Sequence, residues 1–490
     1  MIDLAVHAKQ LGRTAQRARE RGIIVPTLAQ MRNPETIPAG IKQRLSDVGL
    51  WDLHPSNLFR ITWKNEPIKH GGGFNGVNYV EIPREITGIR ARIIALVGKW
   101  FPTGSHKVGA TFGCLVPRLV TGQFDPTFHK AVWPSTGNYC RGGAYNANLL
   151  ACESIAILPE EMSQERFDWL SNVAGEVIAT PGCESNVWEI FQKCKELEAT
   201  RENIMVFNQF DEFGNHLWHY SVTGHAMEEV LHAELGGDGR YAGVVLTSGS
   251  SGTMGCGDYL KEVFPTSKLA VGESLQCPTL LENGFGGHRI EGIGDKHVPW
   301  IHNVRNTDMV IAIDDEHCMS LLRLFNEPAG QAYLLQQGVS ETFIEQQSLL
   351  GISSVANLLC AMKLARYYEL TEQDIVLTVF TDSMELYQTR LRELEEARSH
   401  YSEMQAAMDY HRYLKGVTTD HMAELGYRER KRIHNLKYYT WVEQMGKSVE
   451  ELDAQWYDFP HYWDCIHGLA EPIDALIEAF NEKVGLQGMP

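Results

Sequence analysis

From about Arg92 to Leu377 the chain alternates short apolar runs with longer amphipathic stretches. The runs are Ile93 to Val97, Lys130 to Trp133, Ser154 to Leu158, Val177 to Ala179, Ile204 to Phe207, Gly243 to Thr247, Leu269 to Val271 and Val310 to Ile313. Each has the length of a strand, and the intervening segments suit crossover helices, so the pattern predicts an α/β fold with parallel strands. After Tyr387 the texture changes. Leu391, Leu394, Tyr401, Met404 and Met408 recur at helical spacing among many charges, which predicts a helical C-terminal region without strands. Its aromatic group, Trp456, Tyr457, Phe459, Tyr462 and Trp463, reads as packing against the main body or a second subunit. The first 95 residues predict a helix and then a turn-rich stretch around His70-Gly71-Gly72-Gly73-Phe74-Asn75-Gly76, with no assigned chemistry. The expected organisation is an entry region over 1–95, a core over 96–387 and a helical extension over 388–490.

At 490 residues the chain exceeds one small core and predicts two or three lobes around a closed site. With 43% hydrophobic and 22% charged residues, and no run of membrane-spanning length, the composition is that of a soluble globular protein. The first residues lack the apolar segment of a secretory signal, so a cytoplasmic location is expected. Sixty-two acidic against 44 basic residues give a net charge of -18, which argues against nucleic acid or an anionic membrane as partner and favours small molecules. The ten cysteines never pair at zinc spacing with histidines; they read as reduced, mostly buried hydrophobes, and no metal is expected.

Three loops carry the candidate chemistry. Lys107 follows the turn Pro102-Thr103-Gly104-Ser105-His106 and precedes Val108-Gly109-Ala110, the small-residue start of a helix. A Schiff-base lysine must be neutral part of the time, and burial against a cofactor ring lowers its pKa. Ser135-Thr136-Gly137-Asn138 follows the run ending at Trp133. The Asn138 amide could hold a ring hydroxyl or a carboxylate, or could cap the next helix. Gly249-Ser250-Ser251-Gly252-Thr253 follows Val244 to Leu246 and precedes the helical Asp258-Tyr259-Leu260-Lys261-Glu262, a setting that suits a dianionic phosphate. A dinucleotide fingerprint belongs in a first βα unit with an acidic residue ~20 positions on, and this loop lies far inside the chain. A lysine, an amide loop and a phosphate cradle in this order are the parts that hold pyridoxal phosphate.

The chain resembles the fold-type II pyridoxal-phosphate family, the cysteine synthase and cystathionine β-synthase group, with threonine synthase and the tryptophan synthase β-chain as relatives. The likeness spans roughly residues 57 to 387. Beyond the three loops it rests on Asn208-Gln209-Phe210 with His219-Tyr220 and Thr223-Gly224, on Glu291-Gly292-Ile293-Gly294 with Val298-Pro299, on Gly351-Ile352-Ser353-Ser354, and on Thr381-Asp382-Ser383 through Tyr387. The resemblance implies two lobes, each with a mostly parallel sheet flanked by helices, and a homodimer. It implies Lys107 as the aldimine lysine and α-proton base, Asn138 on the ring hydroxyl, and Gly249, Ser250, Ser251, Gly252 and Thr253 around the phosphate. Ser135, Thr136 and Gln209 would meet the substrate carboxylate, and Ser383 the pyridine nitrogen.

A neutral serine would leave the ring a weaker electron sink than an aspartate would, favouring loss of a β-substituent through an aminoacrylate. Asp382 next door would undo that argument if it faced the nitrogen. In Asn138-Tyr139-Cys140-Arg141-Gly142-Gly143 the chain departs from the group, as does Ser251, which replaces a usual glycine. Arg141 reads either as a ligand for a second anionic group or as a surface or helix-start arginine. The leading expectation is β-elimination or β-replacement on an amino acid with a β-leaving group. The alternatives are a thiolase-like or synthase β-subunit that needs a partner chain, and a cofactor-binding regulator without turnover.

Overall fold

The computed structural model describes residues 1–66, 72–135, 137–183 and 185–486. Part of the His70–Gly76 turn therefore lies outside the described residues.

Eleven described strands form two sheets. The larger has the order β1-β2-β10-β7-β8-β9-β11: β1 Tyr79–Ile82, β2 Arg92–Val97, β7 Arg240–Thr247, β8 Lys268–Ser274, β9 Met309–Ile313, β10 Asp374–Phe380 and β11 Met422–Glu424. Its inner strands run parallel; only β1 and β11, at the edges, are antiparallel to their neighbours. The smaller sheet is wholly parallel, in the order β5-β4-β3-β6: β3 Lys130–Pro134, β4 Glu153–Pro159, β5 Glu176–Thr180 and β6 Ile204–Val206.

Continuous apolar runs arise because both faces of the large sheet are covered. Along β2, Ile94 and Leu96 enter one hydrophobic core while Ile93, Ala95 and Val97 enter another. Val244 and Leu246 alternate with Val245 in the same way on β7. The helix Ile352–Tyr367 packs on β10 and β7 and is buried over most of its length, which explains its lack of an amphipathic pattern. Among the described residues no single helix is long and apolar enough to cross a membrane.

The C-terminal region is helical except for β11, which pairs with β9 and corrects the expectation of no strand there. Three residues are too few for a period-2 signal. Both ends of the chain interlock. Asn481 exchanges side-chain hydrogen bonds with the backbone of Val25, and Asp474 accepts from the backbone of Leu28 and Ala29. Of the predicted aromatic group, Trp456, Tyr462 and Trp463 are buried, with Trp463 and Tyr462 against Phe213, while Tyr457 is exposed. Eight cysteines are buried and none is in a disulfide.

Candidate active site

The loops that carry chemistry leave the carboxyl ends of β2, β3 and β7 and converge between the sheets, as parallel α/β topology dictates. Lys107 opens the helix Lys107–Val120. Thr103 and Gly104 approach it with φ of 70° and 69°, a strained region for threonine. The helix is rich in small residues because its neighbours come close. A Cβ on Gly109 would lie 2.1 Å from the Trp218 ring, and one on Gly113 would lie 2.3 Å from the Gly214 carbonyl. Lys107 Nζ thereby reaches Ser250 Oγ at 3.1 Å, across 143 positions of sequence.

The loop Gly249 to Thr253 runs from β7 into the N-terminus of the helix Met254–Val263. Ser251 has φ 59°, the conformation for which glycine is preferred, and its hydroxyl is 2.7 Å from that of Ser248. The substitution noted in the sequence thus keeps the turn while adding a hydroxyl. Asn215 braces the loop, donating to Ser250 Oγ at 3.0 Å and to the Gln209 carbonyl at 3.1 Å. A Cβ on Gly252 would lie 2.0 Å from Asn215 Oδ1. His106, Lys107, Thr247, Asn357 and Thr381 line a small cavity with Gly249, Ser251 and Thr253.

On the opposite side, Asn138 starts the helix Asn138–Leu149 after β3. Its Nδ2 donates to Asp382 Oδ2 at 2.6 Å, while its buried Oδ1 has no hydrogen-bond partner. Tyr387 donates to the same Asp382 oxygen at 2.6 Å, and Arg166 donates to the Tyr387 hydroxyl at 2.8 Å and pairs with Glu291. Arg390 closes the chain on Glu291 Oε1 at 2.7 Å. Burial raises the Asp382 carboxyl above its usual range, against the opposing pull of Arg166. Ser383 is buried, but its hydroxyl makes no side-chain hydrogen bond among the described residues. It is the neighbouring Asp382 that reaches Asn138.

Ser135 and Gln209 come together, with Gln209 Nε2 3.2 Å from Ser135 Oγ. Thr136 lies outside the described residues. Arg141 is not a surface residue, which corrects that alternative; it stands at the fourth position of its helix. It is buried one turn into its helix, with Trp51 and Trp169 ring centroids 5.5 and 4.7 Å from its guanidinium. No carboxylate pairs with it among the described residues, its Nε and one terminal nitrogen lack hydrogen bonds, and burial pushes its pKa down to about 10.

Several residues of the site carried no assigned role in the sequence. Asn215, Arg166 and Tyr387 draw their roles from contacts made far along the chain. Asp295 directly follows the quoted Gly292-Ile293-Gly294 turn and so was within reach of sequence reasoning. It is buried, its Oδ2 has no hydrogen-bond partner, and desolvation pushes its carboxyl up to about 7 against the pull of Lys107. His106, stacked near Trp63 and edge-on to His219, is held neutral by burial.

A lysine beside a hydroxyl-lined helix N-terminus, with a buried unsatisfied amide oxygen opposite, is the donor set of an enzyme that holds a phosphorylated, carbonyl-bearing cofactor. Comparison with known proteins gives the class its name. Residues 99–382 match the family of pyridoxal-phosphate dependent enzymes, and the chain belongs to that family. It is 29% identical over 292 residues to a probable cysteine synthase of Bacillus subtilis, covering 58% of this chain and 85% of that protein. It is 25% identical to cystathionine beta-synthase of Saccharomyces cerevisiae, covering 63% of this chain and 59% of that one. Among solved structures, an O-acetylserine dependent cystathionine beta-synthase from Helicobacter pylori superposes with a TM-score of 0.53 at 25% identity, over 64% of this chain and 94% of that one.

Proposed function

We propose that this pyridoxal-phosphate enzyme carries out β-elimination or β-replacement on an amino acid with a β-leaving group. The observation that carries the reading is Lys107 Nζ lying 3.1 Å from Ser250 in a helix-N-terminal, hydroxyl-lined loop. Relatives described as a probable cysteine synthase and a cystathionine beta-synthase support the reaction class. Bound pyridoxal phosphate supplies an electron sink for charge developing at the amino-acid Cα.

The chain's own residues take the remaining tasks. Lys107 holds the cofactor carbonyl carbon and moves the α-proton. Backbone N–H groups and hydroxyls from Gly249, Ser250, Ser251, Gly252 and Thr253 hold the phosphate, aided by the helix behind them. Asn138 holds the ring hydroxyl, and Ser383 faces the ring nitrogen. Ser135, Thr136 and Gln209 bind the substrate carboxylate. Arg141, a buried cation with no acidic partner among the described residues, accepts a second anionic group on the substrate, such as a phosphate or carboxylate at the β-position. Asp295, near neutrality in its pKa, exchanges a proton beside Lys107. The core over 96–387 performs the chemistry and the extension over 388–490 braces it, in a cytoplasmic homodimer.

The test is the visible spectrum of the purified protein and of Lys107→Ala, with and without a panel of β-substituted L- and D-amino acids. A lysine-dependent cofactor band that one β-substituted amino acid shifts, with release of its β-group, supports the reading. A band that no member of the panel moves rules it out for those substrates, and a band that survives Lys107→Ala removes Lys107 from its role.

A further inference from the structure

Away from the active site, three ligand-type side chains from distant parts of the sequence converge in the interior. His216 Nε2 and His467 Nε2 lie 3.0 Å apart, and Asp258 Oδ2 lies 3.6 Å from the first and 3.8 Å from the second. All three residues are buried. His216 comes from the helix Phe213–Trp218 and Asp258 from the helix behind the phosphate loop. His467 ends the C-terminal helix His461–His467. Tetrahedral zinc holds nitrogen and oxygen ligands at ~2.0–2.1 Å, so its ligand atoms sit roughly 3.3–3.4 Å from one another, which matches this triangle.

The surroundings are those of a metal centre. Asp258 is oriented by two amides, Asn303 Nδ2 on Oδ2 at 2.8 Å and Asn306 Nδ2 on Oδ1 at 2.9 Å. His467 Nδ1 lies 3.5 Å from Glu262 Oε1, which places a carboxylate behind the ring on the side away from Nε2. Both rings are fixed by aromatic neighbours, Trp463 beside His216 and Tyr220 stacked on His467 at 3.8 Å. Two imidazole nitrogens and a carboxylate oxygen aimed at one point form a donor set that suits a cation. Exposed Glu262 and Asp464, beside His467, offer it a route from solvent.

We propose that His216, Asp258 and His467 form a structural site for a divalent transition-metal ion of the zinc class, which fastens the C-terminal extension to the helix carrying the phosphate loop. The ligands lie at positions 216, 258 and 467, so no local spacing in the sequence announces them. The ion takes no part in the amino-acid chemistry, and the proposal does not depend on the reaction assigned above.

The experiment uses untagged holoenzyme, dialysed against chelator and then titrated with Co2+ and Zn2+. The expected result is a single tightly held ion per chain, visible d–d bands for cobalt, and a metal-dependent rise in Tm. His467→Gln should lose all three while keeping the cofactor band as evidence of folding, and Glu262→Gln should weaken zinc affinity by ~10–100-fold. Wild-type protein that retains neither ion and whose Tm responds to neither overturns the proposal, leaving a shared proton between the two rings. Metal binding unchanged in both His216→Gln and His467→Gln overturns it equally, because the ion then lies elsewhere.

Discussion

The lobe built on the seven-stranded sheet and the lobe built on the four-stranded sheet contribute to one site but differ in how firmly they hold their part of it. In the larger, β9 and β10 are buried along their whole length, and helices cover both faces. Its phosphate loop is wedged at Gly249 against the Gly292 carbonyl and at Gly252 against the Asn215 side chain, which also braces Ser250. In the smaller, β5 and β6 are only half-buried, and the asparagine loop is tied through side chains, Asn138 to Asp382 and Gln209 to Ser135. A glycine whose added Cβ would meet a packed neighbour leaves no room for a side chain, whereas a side-chain hydrogen bond contributes a modest net amount. The comparison teaches that the larger lobe holds its part of the site by tight packing and the smaller lobe by side-chain ties that can adjust.

The largest expected effect tests the rigid side. Gly252→Ala pushes a Cβ into Asn215 and should weaken cofactor affinity by ~100-fold through overpacking, read by absorbance titration. Retained affinity would mean the cradle is as adaptable as its counterpart. Next, Arg141→Met should raise KM by ~10-fold or more for substrates with a β-anionic group, while leaving neutral substrates and thermal stability unharmed. A fall in stability with no change in KM would make Arg141 a packing residue. Asn138→Ala, on the smaller lobe, should retain the cofactor and lower kcat/KM by ~5–10-fold, the cost of one neutral hydrogen bond.

A smaller effect concerns pH. Asp295 is protonated below about 7 and ionised above it, so a residue acting as a base gives kcat/KM a limb that rises with pH through that value. Asp295→Asn should flatten the limb; an unchanged profile would assign the ionisation to another group. Last, backbone amides of β5 and β6 should exchange with solvent faster than those of β9 and β10, by hydrogen–deuterium exchange. Equal protection would erase the contrast between the lobes.

Much of this was legible before the fold. The eight apolar runs correspond to β2 through β9, because strands of parallel sheets covered by helices leave a short apolar signature. Three strands escaped notice: the edge strands β1, which alternates over four residues, and β11, which spans three, and the central β10, although it is buried along its whole length. Lys107, Ser250 and Ser135 were recognisable from small-residue loops after strands and Gln209 from the family resemblance, and the structure brings them into two contacting pairs. Asn215, Arg166 and the pairing of Asp382 with Asn138 were not, since each acquires meaning only from a neighbour tens or hundreds of residues away.

The sequence by itself determined the strand-and-helix alternation, the order of the cofactor loops and the chemical type of each. Those properties are local, set by backbone propensity and by which side chains can donate, accept or form a Schiff base. The tertiary structure decided which of two adjacent residues, Asp382 or Ser383, reaches Asn138. It also decided that Arg141 is buried without an acidic partner among the described residues, and that His216, Asp258 and His467 meet. Burial and convergence are properties of packing, and residues far apart along the chain acquire them only when the lobes close around a common interior.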